Sequence, residues 1–420
     1  MAVVRVDHDS LQVDQHLMYE TLKAYIDGKI HPLIRSRVWP RIRVCGHYAR
    51  SAPDVHISPT EKREKRFNWH RPIAVIVNEF TLEIRCFPGR DYVQHYALLI
   101  AYHLKLNSIK APASVVEYLL PSSEACVNIL LQSNLRFMGA VDIVILGYVD
   151  HLATNEDYIW ETGTDFPDQL FAWKRFSLAD GSVVAFVGSM VSLWGDIIGN
   201  VVRTMRTQNN ISSVFYMGKA GSLRTQDVPN QVLVTGESSR VDGKLLSWES
   251  PLSTTLSTMK IEHLCQGTHV TVPSPLVETE DWLANNKQDA DWVDCEVGYL
   301  AEACQDNNIR FGQRYHGVPS DRTEKISPEW SNQIEGQENI EGNTKAEAIV
   351  RESSSPQKPH WINGVLLCAK ATTSLLLLNI IFIVVAAGLS NRNAGNSAFS
   401  GFQVMYKGSC LLSVKWRTQL

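Results

Sequence analysis

The stretch Phe215-Tyr216-Met217-Gly218-Lys219-Ala220-Gly221-Ser222-Leu223 constrains this chain more than any other. β-Favouring residues from Val214 to Met217 run into two glycines that flank small residues. The pattern reads as a buried strand that ends in a turn where the backbone approaches something closely. Exposed amides without bulky side chains suit a phosphate, a carboxylate or a sugar. Taken alone, the motif is equally compatible with a purely structural glycine turn.

The order of the surrounding pieces narrows the choice. Leu178-Ala179-Asp180-Gly181-Ser182 reads as a turn between apolar strands, and Val183-Val184-Ala185-Phe186-Val187 then runs into Gly188-Ser189. A helical stretch is expected from Ser192 to Met205. After the glycine turn come Gln231-Val232-Leu233-Val234 and a short strand from Thr268 to Val272. A helix is expected from Trp292 to Asn307, carrying Asp294 and Glu296 at its start. An extended segment from Arg310 to Val318 then ends in Pro319-Ser320-Asp321.

This succession resembles the nucleoside phosphorylase and nucleosidase superfamily, which includes purine nucleoside phosphorylase, methylthioadenosine nucleosidase and AMP nucleosidase. Those enzymes share a G-[ST]-[AC]-G-G turn, an [ED]-M-E helix start and an [IV]-S-D strand end. The resemblance covers about residues 141 to 325 and rests on three ordered motifs at compatible separations. It implies an α/β fold, a three-layer domain with a mixed central sheet.

Length and composition fit that reading. The 420 residues leave room for two domains and a tail, and 44% hydrophobic residues can form a substantial core. A net charge of −4 argues against nonspecific nucleic-acid binding. The run Lys62-Arg63-Glu64-Lys65-Arg66 reads as a solvated loop. Eight cysteines without a CxxC pair, and no N-terminal secretory signal, are simplest as reduced thiols in a cytosolic protein.

Four parts are expected. Residues 1–135 read as a smaller α+β region, with a helix over Asp14 to Asp27, strands over Val38 to Val44 and Pro72 to Phe80, and a helix over Tyr92 to Leu106. Its opening loosely resembles the N-terminal regulatory domain of AMP nucleosidase. Residues 136–328 form the phosphorylase-like domain, whose first strand is the nearly continuous apolar run Val141 to Gly147. The polar composition of 329–360 suggests a disordered linker.

Residues 361–420 contain a hydrophobic helix candidate. Ala371 to Leu389 holds nineteen residues without a charge, close to the ~20 that span a bilayer. A buried core helix is the other reading, but the flanking segments offer nothing to bury it. The basic residues after it (Arg392, Lys407, Lys415, Arg417) favour a cytosolic tail, in conflict with a cytosolic enzyme domain. Without an N-terminal signal, the expected localisation is a membrane, through a single C-terminal anchor, with the catalytic domain cytoplasmic.

Cleaving an N-glycosidic bond requires an acid for the departing base, a clamp for the sugar hydroxyls and a nucleophile. The resemblance implies that Asp321 protonates or hydrogen-bonds a purine ring nitrogen, aided by a raised pKa; otherwise Ser320-Asp321 only caps a helix. It implies that Glu296 binds ribose hydroxyls, with Cys295 where the family has methionine. The alternative for Glu296 is a favourable charge in a helix's first turn. Asp294 matches a variable acidic position and reads as structural.

The phosphorylase G-D-P-x-R turn is absent; Gly147-Tyr148-Val149-Asp150 stands there, closer to the nucleosidases' G-A-M-E. Asp150 is therefore a candidate general base for water, or an ordinary loop aspartate. Gly218, Lys219, Ala220, Gly221 and Ser189 complete the expected substrate site. Lys219 replaces the usual Ser or Thr, and it suits a nucleoside 5′-monophosphate, points to solvent or obstructs the pocket. His263, Cys265 and His269 match no common zinc spacing, so no metal is assigned.

The sequence thus points to cleavage of the N-glycosidic bond of a purine nucleoside or nucleotide, with hydrolysis slightly favoured over phosphorolysis. No cofactor is expected, beyond inorganic phosphate as co-substrate in the phosphorylase case, and a homo-oligomer is expected. The alternative is a catalytically silent, membrane-tethered nucleoside-binding or scaffolding protein of the same fold.

Overall fold

The computed structural model describes residues 3–8, 10–107, 115–152, 159–163, 169–178, 180–224, 227, 233–253 and 264–319. Ser320, Asp321, the expected linker over 329–360 and the apolar segment 371–389 lie outside the described residues. The expectation of a membrane protein with a single C-terminal anchor is corrected: among the described residues no helix is long and apolar enough to cross a membrane. The longest of them, Arg90–Leu106, has 17 residues and carries Arg90, Asp91 and Lys105 near its ends, short of the ~20 apolar residues a span requires.

The first sheet has five strands in the order β1 (Val3–Val6), β5 (Val116–Leu119), β2 (Arg41–Cys45), β4 (Thr81–Arg85) and β3 (Ile73–Asn78). The central strands β5, β2 and β4 are parallel and both edges are antiparallel. Alternation decides which side each residue takes: Ile42, Val44, Leu82 and Ile84 are buried, while Arg41, Arg43, Glu83 and Arg85 face outward. Helices α1 (Leu22–Lys29) and α3 (Arg90–Leu106) cover the apolar side, with the one-turn α2 (Pro32–Arg35) between them in sequence. Val93, Tyr96, Ala97 and Ile100 recur at helical spacing on the inner stripe of α3.

The helix expected over 14–27 begins only at Leu22. Its first half is taken by a tertiary pairing instead: His16 bridges Thr279, and the Leu17 N–H donates to the Glu278 carbonyl at 3.1 Å. Local propensity loses to these backbone bonds.

The second sheet has nine strands: β6 (Ile143–Gly147), β7 (Phe171–Ser177), β8 (Val183–Ser189), β9 (Ser213–Ser222), β10 (Leu233–Val241), β11 (Lys244–Ser247), β12 (Leu264–Thr271), β13 (Trp292–Asp294) and β14 (Arg310–Pro319). β8, β6, β9 and β14 run parallel, and β7 closes one edge antiparallel to β8. β14 pairs with both β9 and β10, β10 with β12, β12 with β13 and β13 with β9. These five strands therefore close into a ring. The molecule is a mixed α/β protein built on two mixed sheets.

Period-two alternation gives the second sheet two apolar faces. Val144, Leu146, Ala185, Val187 and Val214 pack under α4 (Ser123–Leu131), α6 (Ile197–Asn209) and α8 (Val297–Asp306). Ile143, Ile145, Phe186, Phe215 and Met217 face the other way, against Phe67 and Leu252. Phe67 comes from the N-terminal region and lies over Gly188, where a Cβ would stand 2.3 Å from its ring. Two short helices, α5 (Val149–Leu152) and α7 (Glu280–Asn286), complete the α-helices among the described residues.

Three expectations in this half are corrected. Gly218 to Gly221 form no turn, because β14 pairs with β9 along its whole length and carries the strand through Ser222. The helix expected over 192–205 starts at Ile197, after Gly195 at φ +62°. Trp292 to Asp294 are strand rather than helix, since both β12 and β9 pair with them.

Candidate functional site

β9 is shared by two neighbours along one edge. β6 pairs with it up to Gly147 opposite Met217, and β13 pairs from Val293 opposite Gly221. Between them Gly218, Lys219 and Ala220 have no strand on that edge among the described residues, although β14 lines the other. The two strands separate there and leave a notch at the carboxyl end of β6, the end at which open α/β sheets receive ligands.

Gly147 makes the notch possible. It sits at φ +94°, and a Cβ would stand 1.8 Å from the Met217 carbonyl oxygen. That oxygen accepts the Tyr148 N–H at 3.0 Å, so the chain leaves the sheet at once and enters α5, with Asp150 in its first turn. Any side chain at position 147 meets both strain and overlap.

Glu296 stands on the opposite wall, between β13 and α8. It is the N-cap residue of α8, yet its side chain makes no capping bond. Asp294 performs that task. Its Oδ1 accepts the N–H groups of Glu296 and Val297, each at 2.8 Å, and the Thr271 hydroxyl accepts the Gly298 N–H at 2.8 Å. The orphan amides of the first turn are thus satisfied by residues behind the helix. The favourable-charge reading of Glu296 is served by Asp294, and among the described residues the Glu296 carboxyl accepts the Cys295 N–H, at Oε2 and 3.3 Å, and no other donor.

Burial pushes the Glu296 carboxyl up to about 8, with the neighbouring Asp294 charge adding to the rise. A partly buried carboxyl beside a like charge holds its proton at neutral pH. Burial, with the charge of Glu296, also holds the Tyr216 phenol well above its ordinary range, and it keeps Cys295 a thiol. Lys219 Nζ lies over the Tyr148 ring, 5.3 Å from its centroid. Tyr216 thus lies near both Glu296 and Tyr148, and Lys219 sits beside Tyr148 at the bare edge of β9.

Of the residues expected from the sequence, Gly218, Lys219 and Ala220 form this edge, Gly221 pairs with Val293 where it ends, and Glu296 lies near Tyr216 beside it. Asp150 follows the β6 exit directly. Ser189 does not join them. It ends β8, two strand spacings or roughly 10 Å from β9, and its Oγ accepts the Val191 N–H while its carbonyl accepts the Asn68 N–H. Asp321 lies outside the described residues. Among the described residues no three His, Cys, Asp or Glu side chains come together to hold a metal ion.

Sequence reasoning weighed His269 only as a metal ligand and missed Thr271. Both are buried on the same side of β12, and both bind Asp294: His269 Nδ1 lies 2.8 Å from Oδ2, and the Thr271 hydroxyl 3.1 Å from Oδ1. The available signal was the spacing of two on an apolar strand, which puts both side chains on one face.

No protein-family model matches the chain. A curated relative, oxidoreductase cns1 of Cordyceps militaris, is 25% identical over 270 residues, covering 59% of this chain and 33% of its own length. The chain thus spans about a third of that relative. Solved structures that it resembles are nucleosidases and phosphorylases, the class to which the sequence motifs are similar. A putative methylthioadenosine nucleosidase from Weissella paramesenteroides is 12% identical with a TM-score of 0.36, covering 48% of this chain and 95% of that one. AMP nucleosidase from Bacteroides thetaiotaomicron is 14% identical at a TM-score of 0.35, covering 52% and 99%. Uridine phosphorylase from Vibrio fischeri is 12% identical at a TM-score of 0.38, covering 49% and 87%. At such identities and TM-scores the likeness assigns this chain neither an activity nor a residue role.

Proposed function

We propose that the chain cleaves the N-glycosidic bond of a purine nucleoside or nucleotide, with the sugar seated in the notch between β6 and β13. The supporting observation is the Glu296 carboxyl: partly buried, excused from capping by Asp294, and near a glycine-rich strand edge that a sugar ring can approach. Two vicinal hydroxyls are suited to such a group, since a carboxylate accepts both at once. Their hydrogen bonds favour the charged form and draw the carboxyl back toward ionisation when ligand binds.

In this reading Asp321 serves as acid to the purine ring and Asp150 activates water. Hydrolysis is preferred to phosphorolysis because Tyr148-Val149-Asp150 supplies no arginine for phosphate. Lys219, beside Tyr148, is a point charge within reach of a 5′-phosphate and makes nucleoside monophosphates part of the substrate range.

The test is release of free base from a panel of purine nucleosides and their 5′-monophosphates, with and without inorganic phosphate. Base together with free ribose or ribose 5-phosphate, unaffected by phosphate, is the expected result. Phosphate-dependent release with ribose 1-phosphate overturns the hydrolytic half. Binding without release reduces the protein to a nucleoside-binding one.

A further inference from the structure

Behind Glu296 runs a buried polar chain that the cleavage chemistry does not itself require. His269 is fully buried on β12, and its Nδ1 lies 2.8 Å from Asp294 Oδ2. The other oxygen of Asp294 holds the amides of Glu296 and Val297 and accepts the Thr271 hydroxyl. Thr271 Oγ1 in turn meets Ser239 Oγ of β10 at 3.0 Å and accepts the Gly298 N–H. The helix end is pressed onto this chain: a Cβ at Gly298 would stand 2.7 Å from Val241 Cβ and 3.0 Å from Thr271 Oγ1.

A solvent-facing Asp at this position would suffice as a cap. An aspartate sealed in with an imidazole is a costlier arrangement, because a buried carboxylate stripped of one partner keeps its desolvation penalty. The imidazole fixes the carboxylate plane, and that plane fixes two consecutive amides on either side of the Glu296 Cα. We propose that His269 is a positioning residue, which acts through Asp294 to set where the Glu296 carboxyl stands and which protonation state it takes. The proposal rests on the reading of Glu296 as the sugar-binding group, but it concerns the ligand-free protein.

Glu296 carries the signal by which this can be read. The groups that bear on it are Asp294 and Cys295 from its own segment and Tyr216 from β9. Of these, Asp294 is the charge that adds to its raised pKa. Loosening Asp294 admits water and weakens that charge, and both effects move the titration of Glu296 the same way, down.

The experiment is carboxyl titration of the full-length, ligand-free protein by carbon-13 NMR of labelled glutamate, with the Glu296 signal assigned by its loss in Glu296→Gln. His269→Ala is expected to lower the Glu296 midpoint by about one pH unit or more, a tenfold change in ionised fraction. His269→Asn keeps a donor near the place of Nδ1 and is expected to hold the wild-type midpoint. Asp294→Asn keeps an oxygen for the two amides, removes the charge and is expected to lower the midpoint; His269→Leu, which fills the space but offers no donor, is expected to lower it too and decides the matter if His269→Ala does not fold. An unchanged midpoint in folded His269→Ala or His269→Leu, or in Asp294→Asn, overturns the proposal. A shifted midpoint in a protein that releases no base leaves the positioning role standing and removes the functional reading alone.

Discussion

Asp294 Oδ1 accepts the backbone N–H of Glu296 at 2.8 Å, while the Asp294 charge helps to hold the Glu296 carboxyl up to about 8. One aspartate both builds the helix end on which Glu296 stands and makes ionisation of that glutamate unfavourable. The two effects give Glu296 a pH signature. Its folded pKa lies above the ordinary glutamate value of 4.5, so the native state keeps a proton that the unfolded chain releases. The stabilising contribution is full below the unfolded value and is lost as pH rises through about 8.

Glu296→Gln is therefore expected to abolish most base release while melting near the wild-type temperature at about pH 4, where both side chains are uncharged, and already above it at pH 7. At pH 9 the variant should melt above the wild type, because it has no carboxyl to ionise in the partly buried site. Thermal denaturation at these pH values checks this. A variant that unfolds at pH 7, or keeps wild-type turnover, removes Glu296 from the site.

Ligand binding should release a proton. The free carboxyl is protonated at pH 7, and hydroxyl donors favour its ionised form. Titration calorimetry of a non-cleavable nucleoside analogue in two buffers of different ionisation enthalpy reads the number directly. Release approaching one proton per site is expected, and none is the contrary result.

The legible part of this fold is where local pattern and tertiary environment agree. The apolar run at Val141 to Gly147, the helical stripe of Tyr92 to Leu106 and the extended segment at Arg310 to Val318 all appear as strand or helix close to their expected bounds. The failures have specific physical causes. Gly218 to Gly221 looks like a turn because glycine is weak in strands, but pairing with β14 overrides that preference. Trp292-Val293-Asp294 is continuous in sequence with a helical pattern, and only its two strand partners make it β. The place of Glu296 at a helix start was legible from its motif. His269 was not, because its role exists only through contact with an aspartate 25 residues away.

A second carboxylate pair ties α3 to α6. The Asp91 N–H donates to Asp196 Oδ1 and the Asp196 N–H to Asp91 Oδ2, both at 3.2 Å, so each helix start is held by the other's acid. Burial, followed by the Asp91 charge, raises Asp196 to about 6. By the same sign, stability from a raised acid is present below its unfolded value and falls as pH rises through about 6. Asp196→Asn is expected to melt above the wild type at pH 8, and to lose that advantage at pH 4. A variant less stable than wild type at pH 8 contradicts the charge assignment.

Packing at the sheet faces gives a further expectation. Phe67→Ala empties the space over Gly188 and should cost about 3 kcal/mol in urea denaturation, as large-to-small aromatic changes do. Gly147→Ala should be worse, since its Cβ meets a carbonyl rather than a movable side chain. A Gly147→Ala protein with wild-type stability would mean that β6 does not turn away where described.

The central claim is that Glu296 holds sugar hydroxyls in the notch beside β9, and a cycle between residue and substrate tests it most directly. Base release is measured for a purine ribonucleoside and its 2′-deoxy counterpart, with wild type and with Glu296→Gln. Loss of a hydrogen bond to a charged group is worth about 1.5–3 kcal/mol, so the deoxy substrate should be cleaved at least about tenfold more slowly by wild type. The variant, slow on both, is expected to show little further difference between them. An equal deoxy penalty in both proteins, or free base from neither, would contradict the assignment.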